Sequence, residues 1–93
     1  MRKITLLIKE AFESGESKTI GNTATDGTTV WLHGNAIIKR EEDGNIYATL
    51  AGWNTPTTKE RTNGIVNAGF HTVKGQAMRN NEPVDVNSWI KIS

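Results

Sequence analysis

Asp26-Gly27, Gly34-Asn35 and Asp43-Gly44 follow one another at short intervals, and each pair supplies the positive φ that a two-residue hairpin turn requires. Between and around these pairs the apolar period is two. Val30 and Leu32 alternate with Trp31 and His33, and Ile46, Ala48 and Leu50 alternate with Tyr47, Thr49 and Ala51. The pattern predicts strands at Thr19–Thr25, Thr28–His33, Ala36–Glu41 and Asn45–Ala51. Sequential strands joined by tight turns form an antiparallel meander, with one face packed and the other partly wet.

Two segments break that period. Ile4, Leu7, Ile8, Ala11 and Phe12 make one stripe of an amphipathic helix over residues 2–13, with Gly15 as its stop. A second helix is predicted over Thr55–Ala68, closed by Gly69. Its start has two readings: Thr55 as N-cap with Pro56 in the first turn, or Thr57 and Glu60 as a capping box. Strands follow at Phe70–Val73, Gln76–Arg79 and Ser88–Ile92, with a turn at Asn80-Asn81. The expected fold is α+β: an antiparallel meander of about four to six short strands, an N-terminal helix, and a second helix after the fourth strand.

At 93 residues, the chain 1–93 is a single domain, since neither half would bury a sufficient core. Hydrophobic residues at 35% and charged residues at 23% place it on the folded side of the disorder boundary. With no cysteine, disulfides, thiolate metal sites and cysteine nucleophiles are excluded together, and a reducing cytoplasm is the expected setting. No apolar run approaches the roughly 20 residues that span a bilayer, and no signal sequence is recognised, so no membrane association is expected. Eleven Lys and Arg against ten Asp and Glu leave a net charge of +1, which argues weakly against a dedicated duplex-binding domain.

Catalytic and metal chemistry find little footing. His33 and His71 match no zinc spacing, so neither a metal nor a cofactor is expected. Ser14, Ser17, Ser88 and Ser93 sit in no nucleophile elbow, and Glu41-Glu42-Asp43 reads as a solvated hairpin tip. An enzyme is not expected.

Two clusters carry binding chemistry. Trp53, Asn54, Thr55, Thr57, Thr58, Lys59 and Arg61 place an indole, several neutral hydrogen-bonding groups and two cations at a helix start, where free amides attract anions. A well-capped, hydrated helix start is the bland reading of the same residues. The second cluster is Trp31, His33, Asn35 and Tyr47, with Lys39 and Arg40 nearby. Aromatic rings on a sheet stack bases, and His or Asn reads their edges; alternatively Trp31 and Tyr47 are cross-strand neighbours in a second small core.

The string Leu32-His33-Gly34-Asn35 with Ile37, followed by Ala51-Gly52-Trp53, Thr55, Thr57-Thr58, Glu60-Arg61 and Asn63, resembles small accessory proteins of tailed bacteriophages. In these an LHGN hairpin precedes an AGW-T-TT-ER-N segment and a closing hairpin with a tryptophan near its end. Here the closing part runs from Phe70 to Trp89, and departs from the family pattern at Arg79-Asn80-Asn81-Glu82, where a glycine-containing turn is expected. The resemblance implies no activity. It implies a setting, the cytoplasm of an infected bacterium, and a role in binding and disabling a host factor, defence systems included.

Two functions follow as expectations. The preferred one is a non-catalytic protein that binds and inhibits a host protein through the Trp53–Arg61 segment or an open strand edge. The alternative is a nucleic-acid or nucleotide binder, with Trp31, His33 and Tyr47 stacking rings and Lys39, Arg40, Lys59 and Arg61 neutralising phosphate. An open edge also allows a homodimer.

Overall fold

A computed structural model describes residues 2–93. Helix α1 spans Lys3–Ser14 and ends where Gly15 adopts a left-handed conformation (φ 76°). It buries Ile8, Ala11 and Phe12 as the stripe predicts, and also Thr5, a polar residue. Leu7 and Ile4 are only partly buried, and Leu6 is exposed.

Nine short strands follow: β1 (Lys18–Ile20), β2 (Thr23–Thr25), β3 (Thr29–Leu32), β4 (Asn35–Arg40), β5 (Ile46–Ala48), β6 (His71–Val73), β7 (Gln76–Arg79), β8 (Glu82–Pro83) and β9 (Ile90–Lys91). The predicted strand Thr19–Thr25 is instead a hairpin, β1 against β2, turned at Gly21 (φ 56°) and Asn22. Helix α2 spans Pro56–Val66, so it follows the fifth strand because the first predicted strand is two. The main sheet has the order β1-β2-β3-β4-β5-β9, all antiparallel. A separate three-stranded sheet, β6-β7-β8, lies between α2 and β9 in sequence.

The turn between β3 and β4 lies one residue earlier than Gly34-Asn35. His33 (φ 51°) and Gly34 (φ 80°) form it, and Asn35 already pairs with Leu32 in the ladder. The β3–β4 register shifts after Val30: Val30 faces Ile38 and Trp31 faces Ala36, leaving Ile37 unopposed. Such a bulge re-aims a side chain. Here it lets Ile37 and Ile38 both turn inward, at 1% and 0% exposure.

The two helices contact each other, α1 lying on β1 and β2 and α2 on β4 and β5. Ile8, Phe12, Val30, Leu32, Ile37, Ile38, Leu50, Ile65 and Phe70 form one core between helices and sheet. Each such side chain contributes about 1.5–3 kcal/mol of burial free energy. Thr55 is the N-cap of α2, its hydroxyl accepting from the Thr58 amide at 3.2 Å, with Pro56 next. Of the two sequence readings of this start, the proline one describes the helix. Its end comes early, at Asn67 (φ 57°) rather than Gly69. The second sheet is fastened to the end of α2 by Asn63, whose side chain donates to Phe70 O and accepts from Phe70 N, both at 2.8 Å. Arg79 Nε adds a 2.7 Å bond to Ala68 O.

Candidate functional site

A groove of about 540 Å³ opens where the β3–β4 turn meets the start of α2. One wall is Leu32, His33, Asn35 and Ile37; the other is Leu50, Ala51, Trp53, Thr55, Thr57 and Thr58. It joins residues from both clusters singled out in the sequence. His33 and Asn35 come from the strand cluster, and Trp53, Thr55, Thr57 and Thr58 from the helix start. The floor residues Leu32, Ile37 and Leu50 were not among the candidate binding residues of the sequence. Their cues are the strand alternation of Leu32 and Leu50, the family-like string that includes Leu32 and Ile37, and position, with Leu32 and Ile37 flanking the turn and Leu50 leading into Trp53.

Local chain geometry sets these side chains out. The bulge brings Ile37 inward to the floor. The left-handed His33–Gly34 turn lifts His33 and Asn35 onto the rim, both exposed. Ala51 (φ 54°) and Gly52 (φ 82°) reverse the chain after β5 and present Trp53 at 58% exposure. The reversal is pinned by Gly52 N donating to Val86 O at 2.8 Å and Trp53 N donating to Leu50 O at 2.8 Å. The groove is thus graded, with a floor of aliphatic residues at 1–5% exposure and a rim of indole, imidazole, amide and hydroxyl groups. None of its lining residues is Lys, Arg, Asp or Glu.

The predicted cations lie elsewhere. Arg61, expected at the binding surface, is 2% exposed. Its Nε donates to Thr23 Oγ1 and its Nη1 to Thr5 Oγ1, both at 3.0 Å, and it pairs with Glu60. Thr5 Oγ1 completes the cluster by donating to Glu60 at 2.5 Å. This network joins α1, α2 and β2, and it explains the buried Thr5. A guanidinium so enclosed cannot reach an outside ligand, because its charge is held by its own partners. Burial raises the Glu60 carboxyl pKa, but hydrogen bonds from Thr5 and Arg61 and the Arg61 charge outweigh it, so the net direction is down. Lys59 turns to Thr72, and Asn54 accepts from the Thr72 hydroxyl at 3.2 Å, so both tie the helix start to β6 rather than line the groove.

The strand cluster is divided by the sheet. Trp31, Lys39 and Tyr47 share the outer face, but β4 lies between Trp31 and Tyr47, so the two are not cross-strand neighbours. Lys39 Nζ stands 4.6 Å from the Trp89 ring centroid and 5.7 Å from that of Tyr47, with Glu41 at 3.1 Å. Arg40 is on the inner face: its guanidinium lies 4.2 Å over the Phe12 ring and donates to Gly27 O at 2.6 Å and Phe12 O at 3.2 Å. It is a fastener between α1 and the β2–β3 turn, and the reading of Arg40 as a phosphate contact does not survive that placement. Among the described residues, no three His, Cys, Asp or Glu side chains gather closely enough to hold a metal ion, and no helix is long and apolar enough to cross a membrane.

Fold and groove define a small α+β protein whose concave surface is lined by no Lys, Arg, Asp or Glu. The chain belongs to the Kyanoviridae Gp96 protein family, whose model matches residues 1–91, and it is therefore a bacteriophage protein. No curated protein and no solved structure matches it.

Proposed function

We propose that this phage protein is a non-catalytic accessory protein that binds a host protein, a defence component among the candidates, and inhibits it by occupying its surface. The observation that carries this reading is Trp53, a large aromatic 58% exposed at the mouth of the groove. Leaving an indole in water forgoes favourable burial, and tryptophan is among the residues most enriched where protein partners bind tightly. The hydroxyls of Thr55 and Thr57 and the Asn35 amide give the surrounding polar rim that such an anchor has at protein interfaces. Affinity capture from a bacterial host lysate, with wild type and Trp53→Ala as baits, is the test. A specific protein retained by wild type and lost by the variant supports the reading; no specific protein with a folded wild-type bait counts heavily against it.

A second reading, nucleic-acid or nucleotide binding, is favoured by one feature of the outer sheet face. There Lys39 lies between the Tyr47 and Trp89 rings, and Lys91 sits opposite Tyr47, the pairing of rings and cations that stacks bases along a backbone. Arg40 and Arg61, by contrast, are engaged inside and do not join this face. A gel shift with single strands at low salt, weakening steeply as salt is added, would support this reading, and its absence at low salt would sink it.

A further inference from the structure

We infer that the groove receives one uncharged, apolar side chain of the protein partner, aromatic or large aliphatic, with the partner's main chain lying along the rim. The inference rests on the host-protein reading and specifies what enters the site. Three observations select that occupant.

Charge comes first. No lining residue is Lys, Arg, Asp or Glu, and Lys39, Arg40, Lys59 and Arg61 are each engaged elsewhere. A phosphate, carboxylate or ammonium entering the groove would lose its hydration without gaining a Lys, Arg, Asp or Glu partner.

The polarity gradient comes second. The floor is Leu32, Ile37 and Leu50, at 5%, 1% and 1% exposure. A nucleobase carries nitrogen and oxygen around its edges, and some would face this floor unpaired, which is costly. A phenylalanine or leucine side chain is apolar at its tip and joins a polar backbone at its base, matching the gradient from floor to rim. The groove volume of about 540 Å³ accommodates such a side chain together with part of its neighbours.

The state of the rim comes third. The Thr55 and Thr58 hydroxyls bond to each other at 3.0 Å. Among the described residues the Asn35 amide and the Thr57 hydroxyl make no such bond, so a donor–acceptor pair and a donor–acceptor hydroxyl remain for a visiting peptide group.

The test is a titration of the full-length isotope-labelled protein by NMR, following the Trp53 indole N–H, the Asn35 side-chain NH₂ and the Thr57 amide. The probes are N-acetyl-phenylalaninamide, N-acetyl-leucinamide, N-acetyl-lysinamide and adenosine. The two apolar amides should shift all three signals saturably, about tenfold more tightly than the lysine amide or adenosine, and Trp53→Ala should weaken them by about tenfold or more. Asn35→Ala, on the exposed rim, gives a second variant whose fold is not at stake. Tighter binding of adenosine or the charged amide overturns the inference. So do shifts confined to Trp31 and Tyr47, no saturable shift with any probe, or shifts that track protein concentration alone and so mark a second copy of the chain. The two claims fail separately. Probe failure with a Trp53-dependent captured protein removes the side-chain assignment and keeps the host-protein reading; probe binding with nothing captured does the reverse.

Discussion

Arg61 and Thr23 lie 38 residues apart in sequence, and a 3.0 Å bond from the Arg61 Nε to the Thr23 hydroxyl joins α2 to β2 inside the core. With Thr5 and Glu60 attached to the same guanidinium, the contact seats both helices on the sheet. It also explains why a cation next to the candidate groove takes no part in it.

Arg61→Met should therefore destabilise the fold by about 3 kcal/mol, because removing one member of a buried charged network strands the others. Arg61→Lys should also be costly, since a single ammonium cannot reproduce bonds made by separate guanidinium nitrogens. Urea unfolding followed by circular dichroism measures both. A loss below about 0.5 kcal/mol, the range of ordinary surface changes, would show that the network is not structural.

The same cluster sets an acid dependence. Glu60 has an ordinary value of 4.5 and a lower one in the folded protein, so the folded state binds its proton less readily than the unfolded state does. The stability it contributes is fully present above about pH 4.5 and is lost as pH falls through the lower folded value. Wild type should lose stability over that interval more steeply than Glu60→Gln. Parallel pH profiles for the two proteins would contradict the assignment.

Gly27 and Gly44 make a matched pair. Both have positive φ, 93° and 88°, but a Cβ on Gly27 would stand 2.5 Å from the Gly15 carbonyl carbon, whereas one on Gly44 would meet nothing within 4 Å. Gly44→Ala should cost about 1–2 kcal/mol for the left-handed backbone alone. Gly27→Ala adds a backbone collision and should cost about 3 kcal/mol or more. Equal melting temperatures for the two variants would show that the α1 end does not press on the β2–β3 turn.

The helix start should behave as a capped terminus whatever it binds. Thr55→Ala removes the acceptor for the Thr58 amide and should cost about 1 kcal/mol. Trp53→Ala, at an exposed position, should change stability by no more than about 0.5 kcal/mol. Chemical denaturation separates these outcomes, and a large loss for Trp53→Ala would make the indole a core residue rather than a presented one.

The α+β class, both helices and the hairpins after Asp26-Gly27 and Asp43-Gly44 were legible because each rests on local chemistry: a period, a cap or a glycine in a turn. The β1–β2 hairpin was not read, although Gly21-Asn22 is itself a turn pair, because its strands are three residues long and show no apolar alternation. Arg61 reads as a surface cation in any local window, and its burial depends on Thr5 and Thr23 arriving from far away in the chain. The groove was legible in halves. His33 and Asn35 were noticed on one side and Trp53 to Thr58 on the other, but their meeting is set by how α2 packs on β4 and β5, which no local signal encodes. The bulge that turns Ile37 into the floor is equally silent in sequence.

The central claim is that the groove, and not the outer sheet face, meets a host protein. The most direct measurement places the photo-cross-linker p-benzoylphenylalanine at Thr57, on the groove wall, or at Thr29, on the outer face beside Lys39, and irradiates each protein in host lysate. The account predicts one dominant protein adduct from position 57, displaced by excess wild type and not by Trp53→Ala, with no matching adduct from position 29. The same adduct from position 29 alone, or cross-links to nucleic acid in place of protein, would contradict it.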